Sequence, residues 1–183
     1  FEKIIKELVD MDFKGRISLY EINEPLIDPR IFEFIEYVRK ELPDCFQMIQ
    51  TNGDLLNEET LNILFESGLD KLIINAYNNK NLLKIKKLLS NYNYNGKNIV
   101  MYDKTKKYVH KMYTSRAGNI DQYKKKVKKN YCELVYVQMI VKSNGDVVSC
   151  VNDMWSKQII GNLNENTVPE IWFGNKFEQL RRE

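Results

Sequence analysis

The chain has 183 residues, of which 43% are hydrophobic, 11% aromatic and 29% charged. That is too apolar for a disordered chain and suits one core, or one main domain with a small appendage. Lysine and arginine outnumber aspartate and glutamate by only 28 to 25, so the net charge of +3 calls for no polyanionic partner.

The pattern begins with a helix over Phe1 to Met11, where Ile4, Ile5, Leu8 and Val9 share a face. No secretory leader is visible. Because the sequence opens at Phe1 inside this amphipathic pattern, it is expected to be the interior of a longer chain. Ile17 to Tyr20 reads as a strand, and Asp28-Pro29 opens a helix that carries Ile31, Phe34, Ile35 and Val38 and stops before Pro43. Phe46 to Gln50 is a second strand. Asn57 caps a helix that ends at Gly68. Leu72 to Ile74 is a third strand, Leu82 to Leu89 a helix, and Ile99 to Met101 a fourth strand. One strand-plus-helix unit thus recurs about every 25 to 30 residues, which predicts an α/β fold with a parallel sheet and helices outside it.

After Met101 the alternation stops. The lysine run Tyr123 to Lys129 has neither the glycines nor the aromatic ladder of a nucleic-acid binder and reads as a solvated helix face. The most apolar stretch, Leu134 to Val141, is short and broken by Gln138, so no membrane span is expected. Tyr136 to Val141 and Val147 to Val151 flank Ser143-Asn144-Gly145-Asp146, a hairpin signal. Thr167 to Glu170 is a capping box that starts a helix packing Ile171, Trp172, Phe177 and Leu180. The expected organisation is an α/β part over residues 1–130 and a hairpin-plus-helix part over 131–183.

Polar residues gather where the strands end, which is where parallel α/β folds bind ligands. Asn23, Glu24 and Pro25 follow the first strand, Thr51-Asn52-Gly53 the second, and Asn75 to Asn78 the third. Ser115-Arg116-Ala117-Gly118-Asn119 comes later, with no strand assigned before it. A carboxylate, several amides, a hydroxyl and a guanidinium would suit a zwitterionic amino acid joined to a nucleoside, among other ligands. Three cysteines form no disulfide framework, and a reducing cytoplasm is the default compartment. Cys45 precedes a strand and reads as buried. Cys132 and Cys150 bracket the hairpin; taken alone, two thiols so far apart read as structural more readily than as a metal site.

In this order the residues resemble the radical SAM superfamily, in the branch that carries a SPASM or shorter twitch domain. Asn23-Glu24-Pro25-Leu26 is similar to the family's GGEP motif, with Ile22 and Asn23 in place of the glycines. Thr51-Asn52-Gly53 is similar to its TNG turn, and Ser115 to Gly118 to its RaG element. Cys132, twelve residues, Gly145, four residues, Cys150 resembles the opening of a SPASM or twitch domain, with Gly161 to Leu163 and Glu170 to Trp172 as its continuation. Phe13 to Ser18, Thr51 to Asp54 and the truncated barrel resemble the aminocyclitol dehydrogenases of the twitch type.

The resemblance implies a partial parallel βα barrel of the radical SAM type, followed by a small SPASM-like domain. It implies S-adenosylmethionine bound on a [4Fe–4S] cluster, reductive cleavage to a 5′-deoxyadenosyl radical, and abstraction of a substrate hydrogen. An auxiliary [4Fe–4S] cluster would accept electrons or hold substrate. By position, Asn23 and Glu24 would hold the methionyl ammonium. Thr51, Asn52 and Asn75 would lie by the ribose and methionine, and Arg116 would reach the carboxylate or the substrate. Cys132 and Cys150 would ligate the auxiliary cluster. Implied partners are a small-molecule, sugar or peptide substrate and an electron donor such as flavodoxin or ferredoxin, with no nucleic acid and no membrane. The C-x3-C-x2-C cluster motif is not in this sequence and is expected before Phe1, with the remaining auxiliary cysteines beyond Glu183. The alternative is a non-catalytic binding protein that keeps the barrel without its clusters.

Overall fold

The structure, a computed structural model, describes residues 1–92, 98–105 and 132–182. The chain divides into two compact units, one of Asp12–Lys111 and one of Phe1–Met11 with Met112–Glu183. Sequence reading groups the first helix with the α/β part. In the structure it belongs to the unit that contains the hairpin.

In the first unit, β1 (Arg16–Ser18), β2 (Phe46–Thr51), β3 (Lys71–Ala76) and β4 (Ile99–Asp103) form a parallel sheet in sequence order. The register sets Ile17 beside Gln47, Ile49 beside Leu72, and Ile73 beside Val100. The crossovers are α2 (Ile31–Glu41), preceded by a short 3-10 turn Pro25–Ile27, then α3 (Glu58–Glu66) and α4 (Asn79–Asn91). Ile49, Leu72 and Ile74 of the strands pack with Ile35, Leu61, Leu64 and Ile85 of the helices in a dry core. Branched apolar residues dominate these strands because helices cover the sheet. The α/β fold with a parallel sheet is therefore as expected.

The helix starts follow their caps. Asn57 Oδ1 accepts from Thr60 N at 2.7 Å, and Asn78 Oδ1 accepts from Asn81 N at 2.8 Å, so α4 begins three residues earlier than its apolar pattern shows. Asp28 does not cap a helix directly. Its Oδ1 accepts from Arg30 N at 3.0 Å and from Arg30 Nε at 2.9 Å, closing a turn ahead of α2. Where the strands begin, the Arg39 guanidinium donates to the carbonyls of Gly68, Pro43 and Cys45 and to Asp70 Oδ2 at 2.5 Å. Gly68 has φ +103°, and a Cβ there would lie 2.7 Å from Arg39 Cγ, so only glycine ends α3 against this arginine.

The second unit contains α1 (Glu2–Asp10), α5 (Leu134–Val137), the antiparallel strands β5 (Ile140–Val141), β6 (Asp146–Val148) and β7 (Ile159–Asn162), then α6 (Val168–Trp172) and α7 (Asn175–Arg182). The hairpin turns at Gly145, φ +88°, with Gly145 N donating to Lys142 O at 2.9 Å. The expected strand Tyr136 to Val141 is half helix. Tyr136 N donates to Glu133 O, and Arg181 Nε holds Val135 O at 3.1 Å, which winds the start of the run into α5 and leaves only β5 to pair. β7 completes a sheet that the sequence pattern did not show. α1 is fastened by Lys3 Nζ on Leu163 O at 2.6 Å and by Glu7 Oε2, which accepts from Val168 N at 2.7 Å. No helix among the described residues is long and apolar enough to cross a membrane.

Phe177 is 0% exposed among Val147, Ile160, Leu163, Val168 and Ile171, while Trp172 lies half-buried at the edge under Arg181, 4.3 Å from its ring. Phe177→Ala should therefore destabilise this unit by roughly 3–5 kcal/mol, more than Trp172→Ala, as read from urea unfolding. The capping box forms on both sides. Thr167 N donates to Glu170 Oε2 at 2.8 Å, and these bonds to Thr167 hold the Glu170 carboxyl below its ordinary value. A lowered folded value means the contribution is complete above the ordinary carboxylate range and lost as pH falls through the folded value. Melting temperature measured against pH should show that acid loss, and Glu170→Gln should flatten it.

Candidate functional site

Glu24 leaves the loop after β1 with its backbone extended, so its side chain lies across the end of β2. Its Oε1 accepts from Thr51 Oγ1 at 2.6 Å and from Leu26 N at 3.2 Å; its Oε2 accepts from Asn52 N at 2.7 Å. Thr51, 2% exposed, accepts in turn from Gly53 N at 3.0 Å. The turn requires glycine: Gly53 has φ +78°, and a Cβ would meet Ile85 Cδ1 at 2.7 Å. A carboxylate has about four acceptor positions. Among the described residues three are filled, two on Oε1 and one on Oε2, which leaves Oε2 a position beside the strand ends.

Asn75 is 4% exposed at the end of β3, and its side chain has no hydrogen bond among the described residues. Its amide can offer both donors and an acceptor to a ligand there. Asn23 is exposed, and its Oδ1 already accepts from Glu21 N at 2.9 Å. It retains amide donors, which suit a carboxylate or hydroxyl better than an ammonium. Asn52 Oδ1 accepts from Asp54 N, so its side chain shapes the turn while its backbone N–H serves Glu24. Glu24, Thr51 and Asn52 are thus brought together by direct bonds. Tyr20 packs against the same core, and burial pushes its phenol up. Arg116, its neighbours Ser115 to Asn119, and the lysine run lie outside the described residues.

Asn81 was not singled out from sequence. It is 5% exposed, donates from Nδ2 to Asn52 O at 2.6 Å, and has an Oδ1 with no partner. Its placement as the third residue of α4, in an Asn-rich helix start, reads as cap chemistry, and only the fold turns it toward the Thr51–Asp54 turn.

In the second unit, Cys132 is exposed ahead of α5 and Cys150 is half-buried after β6. Cys150 Sγ accepts from Asn152 N at 3.4 Å, and Cys150 O accepts from Asp153 N at 2.9 Å. Asp153, also missed from sequence, is 3% exposed and accepts from Lys157 N at 3.1 Å and Gln158 N at 2.9 Å, fixing the loop after the cysteine. Among the described residues no three His, Cys, Asp or Glu side chains gather as a metal site. Two thiols, one already receiving an N–H bond, fit part of an iron–sulfur ligand set rather than a whole one. Cys45 is buried, donates to Phe13 O at 3.2 Å, and has its thiol pushed up by burial, as suits a packing residue.

Residues 132–183 match the SPASM family, described as an iron-sulfur cluster-binding domain. The fold matches BtrN in complex with AdoMet and 2-DOIA, with TM-score 0.84, 26% identity, and coverage of 99% of this chain and 71% of that one. It also matches anSMEcpe with bound AdoMet, a likeness of fold alone, with TM-score 0.61, 13% identity, and coverage of 97% and 72%. By fold, motif and likeness the chain is similar to radical SAM enzymes that carry a SPASM-type iron–sulfur region. Within that class it is similar to the S-adenosyl-L-methionine-dependent 2-deoxy-scyllo-inosamine dehydrogenase of Niallia circulans. Identity there is 27% over 183 residues, all of this chain and 72% of the relative.

Thr51→Val keeps the shape of the side chain and removes the hydroxyl that bridges Glu24 and Gly53. It should lower stability by about 1–3 kcal/mol, measured by denaturant unfolding, because a carboxylate oxygen loses a buried donor.

Proposed function

We propose that this chain forms the S-adenosylmethionine-binding face and part of the auxiliary-cluster site of a dehydrogenase acting on a small polyhydroxylated, aminocyclitol-like substrate. The observation that carries the reading is the open acceptor position on Glu24 Oε2, at the strand ends, together with the unpartnered amide of buried Asn75. An ammonium supplies the charge and the donor that Oε2 has room for, and a half-buried carboxylate gains most from a cationic partner. Asn75 would hydrogen-bond ribose or methionine polar atoms, and Asn23 would offer its amide hydrogens to the methionyl carboxylate. Thr51 and Asn52 would act through Glu24, keeping its carboxylate aimed. Arg116 would complete the site on the methionyl carboxylate or the substrate.

Cys132 and Cys150 would supply two thiolates to an auxiliary [4Fe–4S] cluster. The radical-generating cluster would be held by a cysteine triplet that this sequence does not contain. When bound and reduced, the cluster and S-adenosylmethionine supply the hydrogen abstraction. This chain's residues bind and orient the sulfonium ligand. A low-potential donor such as flavodoxin or ferredoxin would deliver the electron. The aminocyclitol substrate is supported by the dehydrogenase activity named for the relative in Niallia circulans and by the ligand in the BtrN complex.

The full gene product, reconstituted anaerobically, should carry about eight irons, two four-iron clusters. Cys132→Ser should remove about half of them and leave S-adenosylmethionine binding in place; loss of all iron would overturn the assignment. Glu24→Gln should weaken S-adenosylmethionine binding by roughly 10- to 100-fold in calorimetry, as expected for a lost charge-assisted hydrogen bond. Unchanged affinity would remove Glu24 from the site.

A further inference from the structure

The N3 position of a helix ordinarily reaches back to its own N-cap. Asn81 holds that position in α4, and its backbone N–H is capped by Asn78. Its side chain instead crosses to the end of β2, where Nδ2 donates to Asn52 O at 2.6 Å. The orientation leaves Asn81 Oδ1 buried with no partner, which costs on its own account. One turn further along, on the same face, Lys84 Nζ donates to Asp54 O at 2.6 Å. Two side chains of α4 thus hold the two carbonyls that flank Gly53, and that turn supplies two of Glu24's three donors, Thr51 Oγ1 and Asn52 N.

We propose that Asn81 is a positioning residue for the bound sulfonium ligand: it anchors the Asn52 carbonyl from α4, and the backbone N–H of the same residue aims Glu24 Oε2. The unsatisfied Oδ1 is what this orientation of the amide leaves unfilled. The contact passes from α4 through the backbone of Asn52 to Glu24, with a hydrogen bond at each step. Glu24 remains the group that touches the ligand, and Asn81 acts through it. This inference rests on the reading of Glu24 as the ammonium partner.

The test uses the full gene product with its clusters and S-adenosylmethionine as the probe, under non-reducing conditions so that binding is measured without turnover. Asn81→Leu is near in volume and removes the buried orphan acceptor together with the donor. It should leave the urea midpoint close to that of the parent while weakening binding about fivefold, the worth of one ordinary hydrogen bond. In a Glu24→Gln background the same substitution should cost nothing further, because the group it aims is already gone. Lys84→Met, at the exposed end of the brace, should weaken binding less than Asn81→Leu does. An Asn81→Leu protein that binds as tightly as the parent, while Glu24→Gln binds weakly, overturns the inference and leaves the site assignment standing. Equal losses with and without Glu24 would also overturn it, showing a role in the fold alone. If Glu24→Gln binds like the parent, the site assignment fails first and the inference falls with it. Should Asn81→Leu unfold, Asn81→Ser is measured in the same two backgrounds, with the same non-additivity expected and additivity overturning the inference.

Discussion

A carboxylate drawn partly out of water at the mouth of a sheet must recover its lost hydration from donors on the protein or on a ligand. Glu24 recovers most of it from neutral groups: one hydroxyl and two backbone N–H bonds. Dipoles of this kind hold the charge in place without cancelling it. The carboxylate is thereby aimed, with Oε2 less filled than Oε1 among the described residues. A salt bridge to a protein lysine or arginine would have been a firmer anchor and a poorer site, since a ligand ammonium would then have to displace it. The bonds from Glu24 also cross 27 and 28 residues of sequence, tying the loop after β1 to the end of β2. The same contacts that order the strand ends prepare the pocket.

The opposite end of the sheet shows what saturation looks like. Arg39 makes five hydrogen bonds, to Gly68 O twice, to the carbonyls of Pro43 and Cys45, and to Asp70. Its fork geometry satisfies every guanidinium N–H, and Asp70 has a further donor in Gln47 N at 2.7 Å. Among the described residues there, Gln47 Oε1 is a buried atom that still lacks a partner. At the strand ends, Glu24 Oε2, the Asn75 amide and Asn81 Oδ1 all have unused capacity. Ligands of parallel α/β folds bind at the strand ends, and these three groups lie there.

Much of this could be read in advance because its signals are local. The βα spacing, Asn57 as a cap, the Thr167–Glu170 box and the Asn144-Gly145 turn depend on residues within a few positions of one another, and each appears in the structure. The readings that failed depend on distant partners. Tyr136 to Val141 reads as a strand, but Arg181 takes the Val135 carbonyl from 46 residues away, and the first two residues of the run are helical. β7 is short and carries Gly161, so its period was too weak to register. The site divides in the same way. Glu24, Thr51 and Asn75 stand out as polar residues at strand ends, whereas Asn81 looks like one more asparagine in an asparagine-rich helix start. Its role becomes visible only when α4 is folded against the turn.

The environment of Cys150 bears on why the cluster reading outweighs that of a barrel kept only as a binding surface. A thiol retained by drift has no need of a fixed loop. Here the peptide after Cys150 returns an N–H to its sulfur, and a buried carboxylate, Asp153, organises the next five residues by accepting two backbone N–H bonds. Burying that carboxylate is expensive, and its effect is to hold one sulfur in one place. N–H bonds to a sulfur draw charge from it, which would suit the thiolate of the proposed cluster ligand. Cys132, exposed and without such a frame, suits a ligand that becomes ordered when the metal arrives, since metal binding and local folding share one free energy. The two cysteines are unequal in the way expected of a site assembled around its cluster.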